Sequence, residues 1–141
     1  MSGLPMNYTT SYRWSGEAEL GTSGAEGRSD LPLAGPHVGD RYNPELFLVM
    51  AAESCLANSL FAVAGMSQLE IRGYSSEAEG ELELEKGKGY RFKRITIHPV
   101  VTVEAGKEER AAKLLDKAHA ICLVSRSLNC PVEMEPEILA G

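Results

Sequence analysis

Asn43-Pro44-Glu45-Leu46-Phe47 opens the longest apolar run of the chain, which continues through Leu48, Val49, Met50, Ala51 and Ala52 past Cys55 to Gly65. Asn43 suits an N-cap, because its side-chain oxygen can accept from an unpaired amide of the first turn. Pro44 suits the first helical position, where a missing N–H is no loss. Glu45 then falls in the first turn, on the favourable end of the helix dipole. Nothing breaks the helix before Gly65, which reads as its C-terminal cap. Leu48, Ala52, Cys55, Ser59 and Ala62 recur on one face at three- and four-residue spacing. The run is apolar nearly all round, which predicts a central helix rather than a peripheral one.

Outward from this helix the pattern changes period. Upstream, Tyr8 to Trp14 alternates aromatic and polar residues as a half-buried strand does. Gly16, Gly21, Gly24 and Gly27 limit Glu17 to Thr22 and Gly27 to Leu33 to short strands, and Pro32, Gly35, Pro36 and Gly39 make the approach to Tyr42 a loop. Downstream, Leu69 to Leu84 and Tyr90 to Glu104 alternate as long strands around a Gly87-Lys88-Gly89 turn. Pro99 predicts a bulge or an edge position. Lys107 to about Ile121 is an amphipathic helix with Ala111, Leu114, Leu115, Ala118 and Ile121 on its core face. A helical turn over Ser125 to Leu128 and a closing strand over Pro131 to Ile138 complete an α+β order of βββ–α–ββ–α–(α)–β.

At 141 residues the chain has the length of one domain, taken as residues 1–141. Apolar content of 43% and charged content of 24% are those of a globular protein. A formal net charge of −6 argues against nucleic-acid binding, which wants clustered Lys and Arg. The one dense basic run, Lys86, Lys88, Arg91, Lys93 and Arg94, reads as the solvated face of a hairpin. Met1 to Asn7 has no basic segment leading into an apolar one, so no signal peptide is expected. Leu46 to Met66 carries Glu53, Asn58 and Ser59 and reads as a core helix rather than a membrane span. The expected compartment is the cytoplasm, where thiols stay reduced. Three cysteines, an odd number, exclude a complete intrachain disulfide framework.

Cys55 and Cys122 are the chemical candidates. Free cysteine is among the most buried residue types, so each is readable as a small core hydrophobe. The functional reading needs a thiolate, hence a nearby cation. Glu45 lies about 15 Å along the helix from Cys55 and cannot touch the sulfur, but it can orient an arginine that does. Cys122 follows a helix, in a position suited to a mobile loop that approaches a second thiol. Glu53, if it faced the pocket, would raise the Cys55 pKa and slow the thiol. Cys130, before Pro131, reads as structural. Zinc ligation by His119, Cys122, Cys130 and Cys55 is the competing constellation, although the spacing fits no paired CxxC or HxxxH pattern. His37 and His98 read as exposed or capping residues. No phosphate loop, GxSxG elbow, HExxH or strand–GxGxxG–helix motif occurs.

Trp14-x-Gly16, Asn43-Pro44-Glu45-Leu46 with Ala51-Ala52-x-x-Cys55, and Cys122-x-Val124-Ser125-x-x-Leu128 together resemble the OsmC/Ohr family of osmotically inducible and organic hydroperoxide resistance proteins. The likeness covers nearly the whole chain in order and spacing. It implies an intertwined α+β homodimer, with long central helices packed on curved antiparallel sheets. It also implies a thiol peroxidase acting on organic hydroperoxides in oxidative-stress defence, with no bound cofactor and a lipoyl-type dithiol as external reductant. By resemblance Cys55 is the peroxidatic cysteine, Cys122 the resolving cysteine, and Glu45 the acid that pairs with the catalytic arginine. That arginine comes from the N-terminal strands or the loop before the helix in family members. Arg13, Arg28 and Arg41 are the candidates, with Arg41 favoured for its closeness to Asn43. The second reading is a non-peroxidatic ligand-binding or redox-sensing domain on the same fold.

Overall fold

The computed structural model describes residues 3–141 and divides into two compact units, one up to Phe47 and one from Leu48 to Gly141. The first unit is a three-stranded antiparallel sheet, β1 (Ser11–Trp14), β2 (Leu20–Gly24) and β3 (Leu31–Ala34), in that spatial order. All three expected strands form, each trimmed or shifted by a few residues. The β1–β2 connection turns tightly, with Gly16 and Ala18 at positive φ and the Trp14 indole N–H donating to the Ala18 carbonyl at 2.9 Å. After β3 the chain returns so that the Ala34 amide donates to the Tyr42 carbonyl at 3.0 Å.

Helix α1 (Pro44–Met66) starts as the sequence dictates. Asn43 is buried, and its Oδ1 accepts from the Leu46 amide at 2.8 Å, which satisfies an otherwise unpaired first-turn donor. The helix ends differently from expectation. It runs one residue past Gly65, and Gln68 takes the left-handed conformation at φ 55°. The Gln68 amide donates to the Gly65 carbonyl at 3.2 Å and the Leu69 amide to the Ala64 carbonyl at 2.9 Å, the two bonds of a Schellman ending. Leu69 is 4% exposed, so burying it fixes where the chain must leave the helix.

In the second unit, β4 (Gly73–Glu85) and β5 (Gly89–Val103) form a long antiparallel hairpin, followed by α2 (Glu108–Ile121), α3 (Leu123–Ser127), β6 (Val132–Met134) and β7 (Glu137–Ala140). Ile95, Ile97, Val101 and Val103, every second residue of β5, are buried against Ala52, Leu56, Leu60, Val63 and Ala64 of α1 and Ala111, Leu115 and Ala118 of α2. The period-2 strand and the helical stripes thus close one core. Ile121, expected on the core face of α2, is half-exposed. On the solvent face, Glu81, Glu83 and Glu85 pair with Arg91, Lys93 and Arg94 at 3.6–3.8 Å, so the basic run is the neutralised surface of a hairpin.

Two features of this sheet correct the sequence reading. The bulge lies at Glu81/Leu82, and Pro99 is internal to β5, paired with Ser76. The expected closing strand is two strands, both parallel to β5, with β6 spanning Ile95 to Ile97 and β7 spanning Val100 to Val103. Pro99 falls in the gap between those registers, where a residue without an N–H is tolerated. A third correction concerns α1. Only 22% of its most apolar stretch is buried, although it is long and apolar enough to cross a membrane by length and composition. Its core stripe is Ala52, Leu56, Leu60, Val63 and Ala64, one position round from the face that the spacing of Leu48, Ala52 and Cys55 suggests.

Candidate functional site

Cys55 projects from the start of the fourth turn of α1, beside the core stripe and half-buried. Cys122 occupies the single residue between α2 and α3 and is fully buried. The structure brings the two cysteines together as neighbours although 67 positions separate them in the chain, since Cys122 is among the groups that act on the Cys55 thiol. The Val124 amide, in the first turn of α3, donates to the Cys55 Sγ at 3.5 Å. Cys122 is therefore not on a mobile loop. It is packed at a helix junction already facing its partner thiol, and all three cysteines are free.

Burial is the largest influence on the Cys55 thiol and pushes its pKa up. The Val124 amide opposes this, since an N–H aimed at sulfur favours the thiolate. The Cys122 sulfur, as hydrogen-bond partner and as a negative neighbour once ionised, raises the pKa again, and the Leu123 amide lowers it slightly. Burial wins, and none of the groups acting on the sulfur is a cation. Glu53 is also absent from that set. Two residues along a helix turn a side chain by about 200°, and Glu53 Oε2 accepts from the Ser76 hydroxyl of β4 at 2.6 Å instead.

Glu45 and the three candidate arginines belong to the first unit. Glu45 Oε1 is buried without a hydrogen-bond partner among the described residues, and its side chain lines a cavity of about 440 Å³ with Tyr12, Glu19, Leu33 and Pro36. A buried carboxylate oxygen without a donor is a place for a guanidinium. Arg13 is tied to Asp30 at 3.6 Å on the surface. Among the described residues Arg28 and Arg41 bond backbone carbonyls alone, those of Glu26 at 3.3 Å and Leu33 at 3.4 Å. Among the described residues none of the three pairs with Glu45.

The family profile of OsmC-like proteins matches residues 37–137, which include both thiols and the whole of α1. This chain belongs to the OsmC-like family. The uncharacterised protein YmaD of Bacillus subtilis is 32% identical over 103 residues, 70% of this chain and 68% of YmaD. Among solved structures, an OsmC-like protein of Vibrio cholerae superposes with a TM-score of 0.83 at 19% identity, covering 94% of this chain and 99% of its own. An organic hydroperoxide resistance protein of Legionella pneumophila gives 0.76 at 20% identity, covering 97% and 99%. OhrB of Bacillus subtilis, also an organic hydroperoxide resistance protein, gives 0.66 at 21% identity over 94% and 98%. At such identities the solved structures establish the fold, and it is the one that the resemblance in Trp14-x-Gly16, Asn43-Pro44-Glu45-Leu46 and Cys122-x-Val124-Ser125 implied.

Within this OsmC-like fold the remaining candidates separate. His37 and His98 are exposed, and His98 Nδ1 sits 3.2 Å from Glu135. Cys130 is part of the hydrophobic core. Among the described residues no three His, Cys, Asp or Glu side chains gather closely enough to hold a metal ion. Sequence reasoning passed over Tyr74 and Ser76, and gave Ser125 no role beyond its place in the Cys122-x-Val124-Ser125 motif. Among the described residues the buried hydroxyls of Tyr74 and Ser125 have no partner, and nothing in the alternation of β4 or the short helical turn distinguishes them from packing residues.

Proposed function

We propose that the protein is a thiol-dependent peroxidase that reduces organic hydroperoxides of the alkyl or lipid type in oxidative-stress defence. The single observation that carries the reading is that Cys55 lies against the Cys122 junction, where the Val124 amide donates to its Sγ at 3.5 Å. The Cys55 thiolate attacks the terminal peroxide oxygen, the O–O bond breaks, and the alkoxide leaves as alcohol after taking a proton. Cys55 is then a sulfenic acid, which Cys122 converts to a disulfide with loss of water. An external dithiol of the lipoyl type, rather than a bound cofactor, returns both thiols. The apolar surroundings of α1 favour a hydrocarbon-bearing peroxide, whose tail gains from leaving water. The family resemblance gives Arg41, with Glu45, the role of the cation that would favour the Cys55 thiolate. The working unit is a homodimer in the cytoplasm, without nucleic-acid or membrane partners.

The measurement is the number of thiols lost after one equivalent of cumene hydroperoxide meets the reduced protein. A peroxidase loses two thiols together, with Cys55 and Cys122 in one disulfide, and Cys55→Ser loses none quickly. Fast turnover by Cys55→Ser would sink the assignment. One observation favours a second reading. A thiol raised by burial, with no cation acting on it, also suits a ligand-binding or redox-sensing domain, which would oxidise slowly and without pairing.

A further inference from the structure

The amides of a helix's first turn have no partner within the helix, and a capping side chain normally supplies one. At the start of α3 that position is held by Cys122, whose side chain makes no such bond. The Val124 amide finds its acceptor elsewhere, in the Cys55 Sγ of α1, 69 positions away in the chain and at 3.5 Å. Cys55 thus takes the place of the missing cap. The N–H is held in that direction from several sides. Val124 and Leu128 pack against the core, the Arg126 amide donates to the Cys122 carbonyl at 3.0 Å, and the Ser127 hydroxyl donates to the Leu123 carbonyl at 2.8 Å. Because α3 has only five residues, what acts on the sulfur is one hydrogen bond and not a helix dipole. Sulfur is a weak acceptor as a thiol and a strong one as a thiolate, so a donor fixed beside it stabilises the charged form more.

We propose that the backbone N–H of Val124 is a catalytic group of the thiol site, which stabilises the Cys55 thiolate that attacks the peroxide. The step it serves rests on the peroxidase reading. In that step the thiolate sulfur gives an electron pair to the terminal peroxide oxygen, so the S–O bond forms and the O–O bond breaks. The sulfur is oxidised to the sulfenic acid, the peroxide is reduced, and the alkoxide takes a proton from water and leaves as alcohol. The amide keeps its own proton throughout. A donor already aimed at the sulfur needs no reorganisation when the thiol proton departs to solvent. One short turn then carries both the group that readies Cys55, at Val124, and the residue that resolves it, Cys122.

The test replaces Val124 in the full chain by its α-hydroxy acid, which keeps the side chain and exchanges the N–H for an ester oxygen. The pH midpoint for iodoacetamide alkylation, read on the Cys55 peptide by mass spectrometry, should rise by about one pH unit, the scale of a hydrogen bond to a charged group. Sulfenic acid formation from cumene hydroperoxide, trapped with dimedone, should slow about 3–10-fold at neutral pH and not at all above both midpoints, since a more basic thiolate is scarcer but no less nucleophilic. The ester also weakens the Leu123 carbonyl. Ser127→Ala, which removes that carbonyl's side-chain bond, is the control and should leave the midpoint in place. In isotopically labelled wild type followed by NMR, the Val124 amide resonance should titrate with the Cys55 midpoint, and Cys55→Ser should lose that step. An unchanged midpoint in the folded ester variant, an equal shift in Ser127→Ala, or a Val124 resonance that does not titrate would each overturn the role of the amide alone. A wild-type protein that alkylates as expected yet forms no Cys55 sulfenic acid would overturn the peroxidase reading, and the amide's part in catalysis with it.

Discussion

Burial holds the Cys55 proton in place, and the two α3 amides only partly offset it. A thiol in that state has little thiolate at neutral pH, so its reaction with iodoacetamide should still be rising as pH passes the ordinary thiol range. An arginine that serves the site would pull this midpoint down, and removing it should move the midpoint up by about one pH unit or more. Of the Arg13→Ala, Arg28→Ala and Arg41→Ala variants, Arg41→Ala is expected to show that shift together with loss of peroxide turnover. If alkylation of Cys55 is unchanged in all three, the peroxidase reading has no cation. Cys122→Ser should react once with hydroperoxide and then stall, because the sulfenic acid has no resolving thiol and oxidises further. Mass spectrometry should find the added oxygen on the Cys55 peptide, and a Cys55–Cys130 disulfide in treated wild type would reassign the resolving role. At this scale the sequence carried the two thiols, because a cysteine inside an apolar helix and another at a helix end are visible as pattern. It did not carry Tyr74 or the Glu53–Ser76 bond. Those depend on where β4 crosses α1, a contact between residues more than twenty positions apart.

The two ends of α1 show what local chemistry decides and what the core decides. The start was legible because Asn43, Pro44 and Glu45 act within one turn, and Asn43→Ala should cost about 1 kcal/mol of stability through loss of the Leu46 amide bond. The end was not legible. Gly65 has the right residue type, but Leu69 must be buried, so the left-handed position falls on Gln68. A non-glycine residue there costs roughly 1–2 kcal/mol. Gln68→Gly should recover part of this, less about 0.4–1 kcal/mol for the freer unfolded chain, a net gain of about 0.5–1 kcal/mol. Urea unfolding at matched protein concentration measures it, and a loss of stability would show that the Gln68 side chain has a compensating role. The long strands were equally legible from alternation. The parallel attachment of β6 and β7 was not, because strand direction follows from how α2 and α3 return the chain to the β5 edge. Pro99 illustrates the same limit, since its place was decided by a gap in a neighbouring strand and not by its own neighbours.

For the whole molecule the question is what covers the apolar surface that one chain leaves open. Leu46, Phe61 and Met66 of α1, Ile121 and Leu123 at the α2–α3 junction, and Leu82, Leu84 and Tyr90 at the hairpin end are all exposed. Single exposed apolar residues are ordinary, but a helix this apolar with most of its length uncovered is the mark of an interface. The expected partner is a second copy, through a large hydrophobic interface on the order of 2,000 Å² or more, as in dimers whose chains are not stable alone. Leu46→Glu and Met66→Lys separate this from a monomer. Glutamate in the first turn and lysine in the last turn complement the helix dipole, so on an isolated chain each should be neutral or slightly stabilising. Buried in an interface, each would instead leave a charge unpaired, weaken the dimer and lower the unfolding midpoint. Wild-type unfolding should also shift to higher temperature as protein concentration rises, because association and folding are then one equilibrium. Sedimentation of dilute wild-type protein as a folded monomer, with both variants as stable as wild type, would leave α1 exposed in solution and remove the homodimer from the proposed mechanism.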